Sequence, residues 1–293
     1  MKKICILLTG ILLTLESFSQ VIVKQAGFES GTVLQGIFGQ FQLCLSDNPG
    51  AGYISDSFAR EGTKSLRLET KTTDSLCGLS YRAAVYVPFD ASWYNSYQTR
   101  VAFSTYIPSW LPNDNSSYKN ELWMQMQIKP KVSFGNPVLG LWLVNGVWRL
   151  RHSFDTLAFG TRTLPYKDYS IGAMNKGVWE DWVLLANFTI NDPSGYIKLY
   201  KNGVLVIDIK GSNFNNEDGV IQEQPYFSLG PYKFGWPHPA TAVTGVTKRV
   251  GFFDRILFGS PAATYSDFAP VVPPVIPPIP DTKIKVPYKI KTN

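Results

Sequence analysis

The sequence predicts an all-β protein, a sandwich or barrel of many short antiparallel strands. Three observations carry this expectation. Gly, Asn, Pro and Asp recur at short intervals, with alternating apolar residues between them. Segments 139–144 and 147–152 flank Asn145-Gly146, and segments 196–201 and 204–209 flank Asn202-Gly203. Asn-Gly suits a two-residue hairpin turn because both residues tolerate positive φ. No long stretch carries helical periodicity.

The 293 residues divide into three parts. Residues 1–19 read as a secretory signal. Lys2 and Lys3 open it, Ile4 to Leu15 form a short apolar run, and Ser17-Phe18-Ser19 places small residues for cleavage before Gln20. The run is shorter than the roughly 20 apolar residues of a membrane span, and no later stretch reaches that length. The expected location is therefore secreted, periplasmic or cell-surface. Residues 20–268 form one domain, within the range of a large all-β unit. Residues 269–293 begin with Pro270, Pro273, Pro274, Pro277, Pro278 and Pro280. They impose an extended polyproline form, read as a stiff linker before a basic tail.

The formal net charge is +6, and the tail from Asp281 onward holds four Lys against one Asp. The domain itself is only mildly basic. It permits an acidic ligand but lacks the basic stripe of a nucleic-acid binder. Outside the leader the cysteines are Cys44 and Cys77, which an oxidising compartment allows to pair. No CxxC pair or His/Cys cluster suggests zinc.

The strand from Glu121 to Lys129 is the most informative. Strict alternation puts Leu122, Met124, Met126 and Ile128 inward and Glu121, Trp123, Gln125, Gln127 and Lys129 outward. Trp, amides and charges on one face suit a sugar: an indole stacks on a ring, and amides bond hydroxyls. Tyr226, Ser228, Gly230 and Tyr232 share another face, as do Arg82, Ala84 and Tyr86. Arg82 is well shaped to grip a carboxylate. His152 follows Trp148 and Leu150 on their face and reads as a core or edge residue. His238 lies in Trp236-Pro237-His238-Pro239, a loop near Tyr232.

An ordered set of short matches then stands out. It runs Gly27-Phe28-Glu29, Lys64-Ser65-Leu66-Arg67, Tyr81-Arg82-Ala83, Gln125-Met126-Gln127, and Asn145-Gly146-Val147-Trp148. It continues with Trp179-Glu180-Asp181-Trp182, Gly195 to Gly203, Tyr226 to Tyr232, and Arg249 to Asp254. This set resembles polysaccharide lyases of the heparin-lyase and glucuronan-lyase type, which are concanavalin-like jelly-roll sandwiches. The resemblance implies β-elimination on a uronic-acid polysaccharide. Tyr232 and His238 are the catalytic candidates. Arg82, Trp123, Gln125, Gln127, Lys129, Lys233 and Trp236 are the candidate substrate contacts. No cofactor is required. A structural calcium ion is the candidate metal, with Glu29 and Asp254 as ligands, and the loop from Asn213 to Gly219 holds further oxygen donors.

The sequence also departs from the family pattern. Gln127 stands where the family has the His of Gln-x-His. Ser228 stands in place of the Lys of Lys-x-Gly-x-Tyr, although Lys233 adjoins the retained Tyr232. Ala84 stands in place of the Glu of Arg-x-Glu. The alternative reading is thus a non-catalytic carbohydrate-binding protein on the same scaffold. A laminarinase-like hydrolase would need paired carboxylates in a Glu-x-Asp-x-x-Glu run, which is absent.

Overall fold

A computed structural model describes residues 21–30, 42–44, 48, 50–77, 80–88, 98–127, 137–153, 166–189, 192–213, 226–237 and 245–270. Within these the chain forms two antiparallel sheets and one short helix, α1 (Tyr265–Phe268).

The first sheet runs β14 (Val204–Lys210), β13 (Tyr196–Lys201), β12 (Trp179–Asn187), β7 (Gln98–Tyr106), β16 (Lys248–Gly259), β4 (Ser65–Lys71), β3 (Gly52–Ser55), with β1 (Ile22–Ala26) also on β16. The second runs β11 (Tyr166–Ala173), β10 (Val147–Ser153), β9 (Leu139–Val144), β8 (Asn120–Gln127), β15 (Tyr226–Lys233), β6 (Ala84–Pro88), β2 (Gln42–Cys44), with β5 (Tyr81–Arg82) also on β15. The expected jelly-roll sandwich is what the chain adopts. The proline-rich segment, the basic tail and the leader lie outside the described residues.

Both Asn-Gly hairpins form where the alternation predicts them. Asn145 and Gly146 have φ of 49° and 76°, and Asn202 and Gly203 have 49° and 84°. Cys77 is disulfide-bonded. The side chain of Cys44, its expected partner, lies outside the described residues.

The inner faces supply one continuous apolar core. Met124 and Met126, Leu139, Leu141 and Leu143, Trp148 and Leu150, and Phe227 and Leu229 meet Phe103, Trp182, Phe253 and Phe258 of the first sheet. Trp148 stands edge-on to both Trp123 and Trp182, at 6.2 and 5.3 Å between centroids. His152 is buried as the alternation implied, with Nε2 2.6 Å from the Asn213 carbonyl.

Charges are buried at one end of this core. Lys233 Nζ donates to Asp114 Oδ2 at 2.6 Å and to the Tyr118 carbonyl, and lies 4.0 Å from Glu121 Oε1. Arg249 Nε donates to Glu121 Oε2 at 2.7 Å and Arg249 Nη1 to the Pro112 carbonyl at 2.7 Å. Trp123 Nε1 donates to the same Glu121 Oε2 at 3.0 Å. Burial alone would push the Asp114 carboxyl up, but its bonds from Lys233 and Ser116 hold it below the ordinary Asp range. Removing one partner strands the other in the interior. Asp114→Ala should therefore cost about 3–5 kcal/mol in a denaturant titration.

Burial pushes His152 down to about 4, against a smaller upward pull from its bond to Asn213. Below pH ~6.5 the unfolded chain takes up a proton that the folded chain refuses. Stability should therefore fall by about 3 kcal/mol as pH drops from about 6.5 to about 4. His152→Gln, which keeps a donor but cannot titrate, should remove this component from the pH profile of unfolding free energy.

Candidate functional site

The outer face of the second sheet carries the polar residues, and the ladder register places them in rows. Across one row stand Arg82, Tyr232, Leu122, Trp142 and Arg149. Across the next stand Tyr86, Ser228, Gln125, Gly140 and Arg151. Tyr226 and Gln127 are paired one row further on.

This arrangement depends on an irregularity in β8. Leu122 pairs with Trp142 and Met124 with Leu141, so Trp123 is an extra residue relative to β9. Such a bulge interrupts the two-residue alternation. Gln125 and Gln127 keep the outward face that alternation predicts. Glu121 and Trp123 do not: both turn inward, Trp123 is 1% exposed, and its indole packs 6.1 Å from Phe253. The expectation of Trp123 as a sugar platform is thus corrected. The tryptophan on the outer side of this sheet is Trp142, 6% exposed, from a strand apolar throughout, where composition offers no contrast between the two faces.

Two further contacts are corrected in the same way. Lys233 is 0% exposed, held inside by Asp114 and the Tyr118 carbonyl, and so presents no ammonium to Tyr232. Trp236 is 4% exposed and packs edge-on to Tyr81 at 5.7 Å. Lys129 and His238 lie outside the described residues. Glu29 and Asp254 both meet the loop of residues 60–64. Glu29 accepts from the amides of Thr63 and Lys64 and from the Thr63 hydroxyl, and Asp254 accepts from the amides of Arg60, Glu61 and Arg255. Burial still pushes Asp254 up to about 7. These oxygens face N–H and O–H donors, which a cation would have to displace. Among the described residues no three His, Cys, Asp or Glu gather as a metal set.

Arg82, Gln125 and Tyr232 do come together. The Arg82 guanidinium lies 4.2 Å over the Tyr232 ring, and its Nη1 donates to Tyr86 Oη at 2.6 Å. Its Nε is buried with no partner. Tyr232 Oη is 3.2 Å from Ser80 Oγ. Gln125 Nε2 donates to Tyr226 Oη at 3.3 Å. Burial pushes the Tyr86 phenol up, although Arg82 beside it pulls the other way.

Gly230 makes this convergence possible. Its φ is 139°, and a Cβ there would fall 2.0 Å from the Ala83 carbonyl. β5 and β6 therefore bend tightly past β15 at this point and bring Arg82 onto Tyr232.

Aromatic rings continue the face sideways. Tyr232 meets Phe234 at 5.8 Å, Phe234 meets Trp142 at 5.2 Å, and Arg151 lies 4.6 Å over Trp142 and 3.8 Å over Tyr166. Arg82, Tyr232, Phe234, Trp142, Arg151 and Tyr166 so form one ladder across the sheet. Trp142, Arg149 and Arg151 are not among the residues that the sequence pattern singled out for the site. The signal for the arginines was present in Trp148-Arg149-Leu150-Arg151-His152, whose alternation sends both outward.

Fold and face together define a class: a jelly-roll β-sandwich with its polar, aromatic-lined candidate site on one sheet. The chain belongs to the polysaccharide lyase family, whose profile it matches over residues 14–257. Among solved structures it is similar to the endo-β-1,4-glucuronan lyase of the fungus Trichoderma reesei. That likeness has 16% identity and a TM-score of 0.65, covering 84% of this chain and 98% of that one. It is also similar to the marine alginate lyase of Aplysia kurodai, with 10% identity and a TM-score of 0.55, covering 82% and 99%. The binding domain of botulinum neurotoxin DC shares the fold at 10% identity and a TM-score of 0.52, covering 85% of this chain and 50% of that one. No curated protein sequence matches the chain.

The inward position of Trp123 has a measurable consequence. Trp123→Ala should cost about 3–5 kcal/mol of folding free energy, read from the denaturant midpoint. An outward platform would cost within about 0.5 kcal/mol.

Proposed function

We propose that this chain is a secreted lyase that cleaves a uronic-acid-containing polysaccharide by β-elimination on the outer face of its second sheet. One observation carries the reading. A guanidinium with a buried, unpartnered Nε lies against a phenol whose hydroxyl, among the described residues, meets a serine hydroxyl. A uronate needs this pairing: a donor for the carboxylate beside a group that handles the proton at C5.

In this reading Arg82 and Gln125 bond the substrate carboxylate and stabilise the negative charge that spreads onto it as the C5 proton leaves. Tyr232 enters this step as its phenolate, whose oxygen takes that proton. The electron pair forms the C4–C5 double bond, the C4–O4 bond breaks, and the Tyr232 hydroxyl returns a proton to the departing oxygen. Ser80 Oγ, 3.2 Å from Tyr232 Oη, orients the phenol. Gln127 binds a hydroxyl rather than acting as a base, since an amide does not take up the proton. The disulfide at Cys77 supports an oxidising compartment and agrees with the leader-like start.

A second reading, glycan binding without cleavage, is favoured by Gln127 and Ser228 at positions where the family carries a base and a cation. The test is direct. Purified protein is incubated with glucuronan, alginate, heparin and heparan sulfate while the absorbance of the conjugated uronate double bond is followed. A rise that falls at least about 100-fold in Tyr232→Phe is expected. No rise on any polymer, with retardation on a glycan-containing gel, would establish the binding protein instead. A rise undiminished in Tyr232→Phe would remove Tyr232 from the mechanism.

A further inference from the structure

Arg149 differs from every other described arginine: among the described residues none of its nitrogens has a hydrogen-bond or ion-pair partner, and no ring stacks on it. Its Nε is buried and unsatisfied. The neighbouring Arg151, by contrast, is neutralised by a two-point bond to Asp168 at 2.7 and 2.8 Å. Leaving a buried cationic donor unmet is costly unless a ligand later supplies the acceptor.

A second unmet donor lies on the strand paired with that of Arg149. Trp142 is the cross-strand partner of Arg149, and its Nε1 is buried without an acceptor. The indole edge sits over Gly140, where a Cβ would come within 2.5 Å of Nε1. Any larger residue at position 140 would displace that N–H. The backbone therefore leaves room for an indole donor over Gly140, on the strand paired with that of the unpaired guanidinium and on the same outer face as Arg82.

We propose that Arg149 and Trp142 Nε1 form a distal anion subsite for a second acidic group of the polysaccharide, a carboxylate or a sulfate ester. The proposal rests on the reading that this face binds an acidic glycan. Arg149 on β10 and Arg82 on β5 share a row and are separated by β9, β8 and β15, so four inter-strand spacings, roughly 19 Å, lie between them. The polymer accordingly runs across the strands along the ladder of rings. Its acidic groups recur on a chain long enough to reach both arginines, as they do on an internal stretch of a polyanion.

Affinity electrophoresis in gels containing glucuronan, alginate or heparin tests this without requiring turnover. Arg149→Gln should weaken retardation of the folded protein about tenfold, in keeping with one lost charge-assisted contact. Arg149→Lys should recover part of it, and Trp142→Phe, which keeps the ring and loses the N–H, should weaken it less. A loss seen with glucuronan assigns the subsite to carboxylate, and a loss confined to heparin assigns it to sulfate. Wild-type retardation that Arg149→Gln leaves unchanged, with an unaltered melting temperature, overturns the subsite while leaving the lyase reading standing. No retardation of the wild type by any of these polymers overturns both.

Discussion

The candidate site depends on a set of charges that never reaches it. Asp114, Lys233, Glu121 and Arg249 are enclosed at one end of the sandwich and tie β8, β15 and β16 to the loop before β8. Charges so enclosed must be paired, or they cost several kcal/mol each. Because Lys233 has to point inward to Asp114, Tyr232 before it points outward. Because Glu121 has to meet Arg249 across the sheets, it faces inward too, and Trp123 follows it through a shared hydrogen bond. The bulge at Trp123 then restores Gln125 and Gln127 to the outer face. An interior electrostatic requirement thus sets which residues a polymer can meet.

The outer face shows the opposite logic. Its donors are held in place but left partly unused: Arg82 spends one nitrogen on Tyr86 and stacks on Tyr232, while its Nε has no acceptor. Arg149, four strands away, and Trp142 each leave a buried nitrogen without an acceptor as well. The Tyr232 ring holds the Arg82 cation from one side and so orients it without neutralising it. Unmet buried donors are a cost to folding that ligand binding can offset. A sheet face with rows of this kind suits a long, repetitive, negatively charged chain better than a compact ligand.

Much of the fold was legible because its signals are local. The two Asn-Gly turns act through the φ preferences of two residues each, and the strands on either side follow from alternation. Arg82, Gln125 and Tyr232 were legible because each keeps the face that alternation assigns it, despite the register shifts beside Tyr232 and Gln125. Trp123 was misread because a bulge inverts the alternation, and nothing in Glu-Leu-Trp-Met announces one. Lys233 and Trp236 are close to Tyr232 in the chain but not in the site, because their side chains turn into the interior. Trp142 was invisible in Leu-Gly-Leu-Trp-Leu-Val, where both faces of the strand are apolar.

By itself the sequence determined the all-β class, the hairpins, the family resemblance and the three residues of the central cluster. Tertiary structure alone decided which tryptophan lies on the outer face, where Lys233 spends its charge, and which arginine is left without a partner. The physical reason is range. Turn preference and strand periodicity act over a few residues, whereas pairing Asp114 with Lys233, or Glu121 with Arg249, joins residues more than a hundred positions apart. Only when the two sheets close on each other do those charges find partners, and only then is it settled which side chains remain outside to meet a ligand.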